Sequence, residues 1–524
     1  MMIIQHPLLM YLIASSYLLA SIEGLKPSHH HSASFNRSSF PSGFVFGASS
    51  SAYQYEGATN ADGRGPSIWD IFVRAQREKI SDNSTGDVAD EFYYRYKEDI
   101  ALMRDIGLDS FRFSISWSRI LPNGTISGGV NQKGVDFYNF LIDELMSKGI
   151  EPFPGLFHWD TPQALEDEYG GFLSPKIVND YRDYAGFCFK EFGDRVKYWV
   201  TMNEPNILSE YGYARGSYAP GRCSNYIGNC TEGNSATEPY MVTHNLILSH
   251  AAAVKLYREK HQASQKGLVG VTTDSMWLVP KFETIASRKA TSRGLDFSYG
   301  WVLHPLTYGE YPKTMVELVG DRLPKFTQEQ SKMLKGSLDF IGVNYYTARY
   351  ADDSTSNSSN YPSYTTDSRV NETVEKNGVL IGQPTTASWL YIYPKGIREI
   401  LLYIKREYND PLIFVTENGM GDLNNRSLPI SEALKDSLRI EYHHLHLSYL
   451  LQAIEDGVNV KGYFLWTFLD DFEWVSGYKL RFGINYVDFE NGLNRYHKNS
   501  AYWFRNFLKK ENVSTAFPLL LSDM

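Results

Sequence analysis

Short apolar runs recur along most of this chain, separated by longer stretches of mixed, helix-spaced character. The runs are Phe44–Ala48, Ser110–Ile115, Glu151–Trp159, Lys197–Asn203, Leu268–Asp274, Leu338–Asn344, Leu412–Glu417 and Lys461–Thr467. Most are continuous rather than alternating, the pattern of parallel strands covered on both faces. Between them lie amphipathic stretches such as Tyr138–Lys148, Pro175–Phe192, Tyr240–Lys260 and Ile440–Asp456, with Leu141, Leu145 and Lys148 at helical spacing. Eight such units without an internal break predict an α/β fold, a single (β/α)8 TIM barrel with long active-site loops. The barrel domain is expected over residues 41–510. A Ser/Thr/Asn-rich segment, 351–378, reads as a long solvated loop after the sixth strand, with a role at a cleft rim as the functional alternative.

In such a barrel the chemistry belongs at the C-terminal ends of the strands. Two glutamates meet that condition. Glu204, in Thr201-Met202-Asn203-Glu204-Pro205, ends the fourth candidate strand, and Glu417, in Thr416-Glu417-Asn418-Gly419, ends the seventh. Each is followed at once by turn chemistry, Pro205 or Asn418-Gly419. They lie far apart in sequence, so only a closed fold brings them together. Two carboxylates facing one bond are what cleavage of a glycosidic linkage requires.

Composition narrows the class. Of 524 residues 43% are apolar, enough for a large core, and 15% are aromatic, which suits a cleft walled by rings. A formal charge of −9 without a basic stripe argues against nucleic acid as a partner. Residues 1–24 read as a cleaved secretory signal: Leu8 to Ala20 is mostly apolar and small residues follow, although only His6 stands where a charged segment is usual. The run is short for a bilayer span, so no membrane association is expected after cleavage. Residues 25–40, with the triplet His29-His30-His31, read as a flexible leader, and 511–524 as a C-terminal tail. Glycan acceptor motifs at Asn36, Asn83, Asn123, Asn229, Asn357, Asn371, Asn425 and Asn512 fit secretion. Cys223 and Cys230 bracket a short loop whose closure would stabilise by roughly 2–3 kcal/mol, while Cys188, among Phe187, Phe189 and Phe192, reads as a buried thiol. No spacing suits a metal, and no cofactor is expected.

Several blocks occur in order along the barrel: Phe44-Val45-Phe46-Gly47-Ala48 through Tyr53-Gln54-Tyr55-Glu56-Gly57, and Phe111-Arg112-Phe113-Ser114-Ile115-Ser116-Trp117-Ser118-Arg119-Ile120. Phe157-His158-Trp159-Asp160, Asn203-Glu204-Pro205, Asn344-Tyr345-Tyr346, Thr416-Glu417-Asn418-Gly419, and Phe464-Leu465-Trp466 through Glu473-Trp474 follow. Over about residues 40–510 the chain resembles the plant β-glucosidases of glycoside hydrolase family 1. The resemblance implies a retaining β-D-glucosidase acting on small β-glucosides, with Glu417 as nucleophile and Glu204 as general acid and then base. It implies that Gln54, His158, Asn203, Asn344, Tyr346, Trp466, Glu473, Trp474 and Phe482 hold the substrate, with Arg112 supporting Glu417. It also implies that Trp389 and Met276 line the aglycone side. Cations and hydrogen bonds are expected to hold Glu417 low, and a negative Glu417 at about 5–5.5 Å to raise Glu204. An ionised Glu473 would accept two hydroxyls and repel a phosphorylated sugar. Met276, where relatives often carry Asn or His, points to a hydrophobic aglycone.

Other clusters read as structure. His443, His444 and His446 are taken as a solvent-facing helix, and Ser127-Gly128-Gly129 as a turn, since it lacks the Lys-Ser/Thr of a phosphate loop. A thioglucosidase that dispenses with its acid is disfavoured by Glu204, and a catalytically dead binding protein by the presence of both carboxylates. A transglucosidase of the same fold, or a hydrolase specific for a disaccharide glycoside, remains open, as does monomer against homodimer. The compartment expected is the secretory pathway, ending in the apoplast or vacuole; the terminal Leu521-Ser522-Asp523-Met524 is not a retrieval signal.

Overall fold

The computed structural model describes residues 35–510 except 275 and 355–360. The proposed signal, the histidine triplet, Asn357, Asn512 and the tail lie outside the described residues. Eight parallel strands close into a barrel in chain order: β1 (Val45–Ser49), β2 (Ser110–Ser114), β3 (Glu151–Gly155), β4 (Tyr198–Asn203), β5 (Leu268–Asp274), β6 (Phe340–Asn344), β7 (Ile413–Asn418) and β8 (Val460–Leu465). All eight apolar runs are strands, each within a few residues of its expected bounds. The expected helices also form, including Gln132–Ser147, Ile177–Phe192, Glu238–Lys260 and Ser437–Glu455.

The barrel interior is filled by rings rather than by aliphatic layers. Phe153, Val200, Phe340, Phe414 and Phe464 form one buried cluster, with Phe153 centred 5.0 Å from Phe464 and 5.3 Å from Phe414. Three of these rings fit because a glycine stands opposite each in the ladder: Gly47 faces Phe464, Gly462 faces Phe414 and Gly270 faces Phe340. A Cβ on Gly270 would lie 2.7 Å from the Phe340 ring, too close for any real contact. Glycine weakens a strand by itself, but here it leaves space that an aromatic side chain fills from the next strand.

Three expectations need correction. Residues 351–378 are not simply a loop, because Ala348–Asp353 lies between Trp277–Pro280 and Val370–Thr373 in a three-stranded sheet beside the barrel mouth. The folded unit begins before residue 40: Phe35 packs its ring 5.5 Å from Phe507, and Arg37 pairs with Asp109 at 2.9 Å. On the helix Ser437–Glu455, His443 and His446 are fully buried. Each bonds through Nδ1, to the Tyr463 hydroxyl at 2.8 Å and to the Tyr442 carbonyl at 2.7 Å respectively, and only His444 faces outward. Burial lowers both titrations, that of His446 to about 3, so these rings are neutral core members.

Cys223 and Cys230 are joined, and Cys188 is buried, its thiol pushed up by burial. Asn83, Asn123, Asn229, Asn371 and Asn425 are exposed, whereas Asn36 is half-buried and caps the first turn. Among the described residues no helix is long and apolar enough to cross a membrane.

Gly270→Ala is expected to destabilise the fold by about 1–3 kcal/mol through overpacking against Phe340, seen as a lower unfolding midpoint in denaturant. An unchanged midpoint would contradict the close packing of this pair.

Candidate active site

The strand ends converge on one cavity of about 630 Å³. Its walls include His158 after β3, Glu204 after β4, Met276 after β5, Tyr346 after β6, Glu417 on β7, and Trp466, Glu473, Trp474 and Phe482 after β8, with Trp389 at the rim. Arg112, Asn203 and Asn344 are tied to this wall by hydrogen bonds. Of the sequence-predicted site residues, Gln54 accepts from Ser51 at Oε1 at 2.7 Å, while its Nε2 is buried without a partner among the described residues.

Backbone geometry aims the acids. Glu204 stands before Pro205, the first residue of the helix Pro205–Tyr213, and takes a left-handed conformation at φ 43°. The proline disfavours the ordinary helical region for the residue before it, and Glu204 in its left-handed conformation turns the chain abruptly out of β4. The Glu204 N–H still donates to the Thr272 carbonyl at 2.8 Å, which pins that turn to β5. Trp159 and Trp474 also have positive φ, 71° and 47°. Such conformations cost on the order of 1–3 kcal/mol each and persist where surrounding packing over-determines them.

One guanidinium connects the two sides of the cavity. Arg112, on β2, donates to Glu417 Oε1 at 2.5 Å through Nη1 and to Asn203 Oδ1 at 2.6 Å through Nη2. The Tyr346 hydroxyl donates to Glu417 Oε2 at 2.7 Å. Asn344 donates from Nδ2 to Glu204 Oε1 at 2.7 Å and to Asn203 Oδ1 at 3.2 Å, and its own oxygen accepts from Thr416 at 2.8 Å. Asn203 Nδ2 lies 2.9 Å from His158 Nε2, a contact that suits a neutral imidazole. Burial, and then the Arg112 charge, push His158 well below its ordinary range.

The two carboxyls are buried, Glu204 at 6% exposure and Glu417 at 4%, but they are held differently. Burial raises Glu204 well above the usual carboxylate range, and the charges of Glu417 and Asp274 raise it further, against the Asn344 bond and Arg112. Burial raises Glu417 as well, so the expectation of a carboxyl below its ordinary value is not met. Arg112 and Tyr346 oppose that rise, and Glu417 remains the more acidic of the two. Glu473 also departs from expectation: burial, and then the charge of Glu417, push it up to about 8.

Other cavity walls were not singled out from sequence: Glu210, Tyr211, Arg215, Tyr218, Asp274, Arg349 and Glu372. Asp274 ends β5, and the strand-end rule alone could have found it. Arg349 and Glu372 belong to the side sheet, whose approach to the mouth no local pattern signals.

This geometry has relatives. The glycosyl hydrolase family 1 profile matches residues 36–513. The chain belongs to glycosyl hydrolase family 1. It is 60% identical over 495 residues to Beta-glucosidase 17 of Arabidopsis thaliana, an alignment covering 94% of this chain and 96% of that one. Among solved structures, a rice beta-glucosidase mutant in a covalent complex with Glc matches at a TM-score of 0.90 and 49% identity, covering 91% of this chain and 100% of that one. A Humicola insolens family 1 beta-glucosidase in complex with glucose matches at a TM-score of 0.86 and 41% identity, over 89% of this chain and 98% of that one. This family 1 member is an O-glycosyl hydrolase of the beta-glucosidase type. The cavity at its strand ends lies where a (β/α)8 enzyme carries its chemistry.

Replacing Arg112 by Met is expected to remove the main force opposing the rise of Glu417. A base that must be ionised then titrates later, so the acid limb of kcat/KM should move upward by about 1–3 pH units. An acid limb that stays in place in R112M would show that Arg112 does not set the ionisation of Glu417.

Proposed function

We propose that this enzyme hydrolyses terminal β-D-glucosides with retention, through a covalent glucosyl-enzyme on Glu417. The observation that carries this reading is the unequal treatment of two buried acids within one hydrogen-bonded network. Glu417, the more acidic, supplies the nucleophilic oxygen. Glu204, kept protonated by burial and by the charge of Glu417, donates its proton to the departing oxygen. When Glu417 becomes an ester its charge disappears, the force raising Glu204 weakens, and Glu204 can take a proton from the attacking water. Water then attacks the anomeric carbon, Glu417 leaves as carboxylate, and β-configured glucose is released. The covalent complex with Glc in the rice structure supports such an intermediate.

On this reading the glycone lies among Gln54, His158, Asn203, Trp466, Glu473 and Trp474. Nε2 of Gln54 and Oε2 of Glu473, buried and without a partner among the described residues, are polar atoms that sugar hydroxyls would satisfy. Asn203, oriented by Arg112 and His158, faces the 2-hydroxyl, where a hydrogen bond strengthens as positive charge builds on the ring. The aglycone leaves past Met276 and Trp389, the latter 42% exposed and stacked over Phe482 with centroids 6.5 Å apart. A flat apolar group next to the scissile bond suits that collar, whereas Arg349 and Glu372 add polar groups to the cavity wall, with burial pushing Glu372 up to about 7. The joined cysteines and exposed acceptor asparagines support passage through the secretory pathway.

Glu204→Gln should cut kcat/KM by a factor on the order of 10²–10⁴ for glucosides with poor leaving groups and far less for dinitrophenyl glucoside. Nuclear magnetic resonance of the first product formed should show the β anomer, and an α product would overturn retention. Trp389→Ala should raise KM for aryl glucosides about tenfold with little change for methyl glucoside, by loss of a stacking face worth roughly 1 kcal/mol or more. Equal effects on both substrates would remove Trp389 from the aglycone site.

A further inference from the structure

The stretch 346–349 leads from β6 into the side sheet, and it grips two walls of the cavity. On one side the Tyr346 hydroxyl donates to Glu417 Oε2 at 2.7 Å. On the other side lies loop 385–390, the tip of a hairpin whose paired strands are Gln383–Pro384 and Tyr391–Ile392. Thr347 ties down the stem: its Oγ1 accepts from the Tyr391 N–H at 3.0 Å and donates to the Tyr391 carbonyl at 2.9 Å. The tip is anchored from behind by Ala387 and Leu390, both buried, and Thr386 donates to the Gly421 carbonyl at 2.8 Å. Trp389 stays exposed on this tip, its ring edge-on to Tyr346 at 5.6 Å and parallel to that of Phe482. The Trp389 carbonyl accepts from Arg349 Nη2, and no backbone N–H among the described residues reaches it. Arg349 Nη1 donates to the Ala348 carbonyl at 2.8 Å and to Thr347 Oγ1 at 3.3 Å, and the guanidinium lies 5.5 Å from the centroid of the Tyr391 ring. All three acceptors are neutral oxygens, so in these bonds the cation fastens chain to chain and meets no carboxylate.

We propose that Arg349 is a positioning residue for the leaving-group side: by clamping the Trp389 carbonyl to the side sheet it fixes the indole beside the scissile bond and so sets a preference for aromatic over small alkyl aglycones. The proposal rests on the reading of Trp389 as an aglycone contact. A guanidinium suits the task because its planar fork puts Nη1 on one segment and Nη2 on the other at the same time. A lysine, a point charge on a flexible stem, reaches one or the other. Without the clamp the hairpin stays in place, because Thr347, Ala387 and Leu390 still hold it. Only the tip loosens, and the ring then occupies its stacking orientation for part of the time. The apparent affinity for an aryl group falls by that fraction, with removal of the ring itself as the ceiling. The bond from Tyr346 to Glu417 does not involve the tip, so the acids keep their arrangement. Release of glucose from the glucosyl-enzyme takes place after the aglycone has left, and it is therefore insensitive to the clamp.

The test compares R349M, R349K, W389A and the double variant R349M/W389A on an aryl glucoside and on methyl glucoside. R349M should raise KM for the aryl glucoside about three- to tenfold, no further than W389A does, with kcat within about twofold of wild type. KM for methyl glucoside should move by less than about twofold. R349K, which keeps the charge and loses the fork, should raise the aryl KM by about two- to fivefold. Because Arg349 acts through Trp389, adding R349M to W389A should change the aryl KM by no more than about 1.5-fold. A full further rise in the double variant would overturn the proposal, since Arg349 would then touch the aglycone itself. Wild-type KM in R349M and R349K, with W389A impaired, would overturn the clamp alone. Wild-type behaviour of W389A toward both substrates would remove the aglycone reading of Trp389 and the proposal with it. Fluorine magnetic resonance of enzyme carrying 5-fluorotryptophan gives a readout independent of catalysis. Of the ten tryptophan resonances, the one missing in W389A belongs to Trp389. It should shift or broaden in R349K while the others stay. An unmoved Trp389 resonance in R349K overturns the clamp even where R349M does not fold.

Discussion

The Arg112 guanidinium, bonded at once to Glu417 and to Asn203, is the interaction on which the rest of the site depends. Burying carboxyls at a barrel mouth raises them all, because a low-dielectric surrounding penalises charge regardless of position. Without a fixed cation on one side, Glu204 and Glu417 would be told apart only by weaker neighbours, the Tyr346 hydroxyl on Glu417 and the charge of Asp274 near Glu204. Arg112 breaks that symmetry and is itself held by β2, between strands whose registers tie the mouth together. The Asn344 amide, which reaches Glu204 and Asn203, links the second acid to the same network.

The barrel beneath makes that precision affordable. Its interior is a stack of phenylalanine rings, three of them seated opposite glycines, so the strands cannot slip without driving a ring into a backbone. Rigid strands at the base allow strained backbone at the rim, where Trp159, Glu204 and Trp474 all adopt positive φ. The aromatic wall continues this support: Trp474 packs at 4.6 Å against Trp69 and 4.7 Å against Trp159. These contacts hold the segment carrying Asp471 and Glu473 in place beside the acids.

Much of this was legible before any coordinates. All eight strands announced themselves because parallel strands buried on both faces must be short and apolar. Glu204 and Glu417 were legible because turn residues follow each of them at a strand end. The histidines on Ser437–Glu455 misled, since a polar residue type says little about facing when Tyr463 and the Tyr442 carbonyl can satisfy it inside. The side sheet was hidden because its strands are short, partly exposed and paired with segments distant in sequence.

The order of amino acids by itself determined the barrel and the positions of the two acids at its strand ends. These follow from periodicity and turn residues, which act over a few neighbours along the chain. Only the tertiary structure decided which carboxyls keep their protons. Asp470 and Asp471 are the same residue type in adjacent places, yet one meets Lys498 and Arg481 while the oxygens of the other meet no donor among the described residues. Proton affinity depends on burial and on charges brought in from other strands, and no local pattern carries that information.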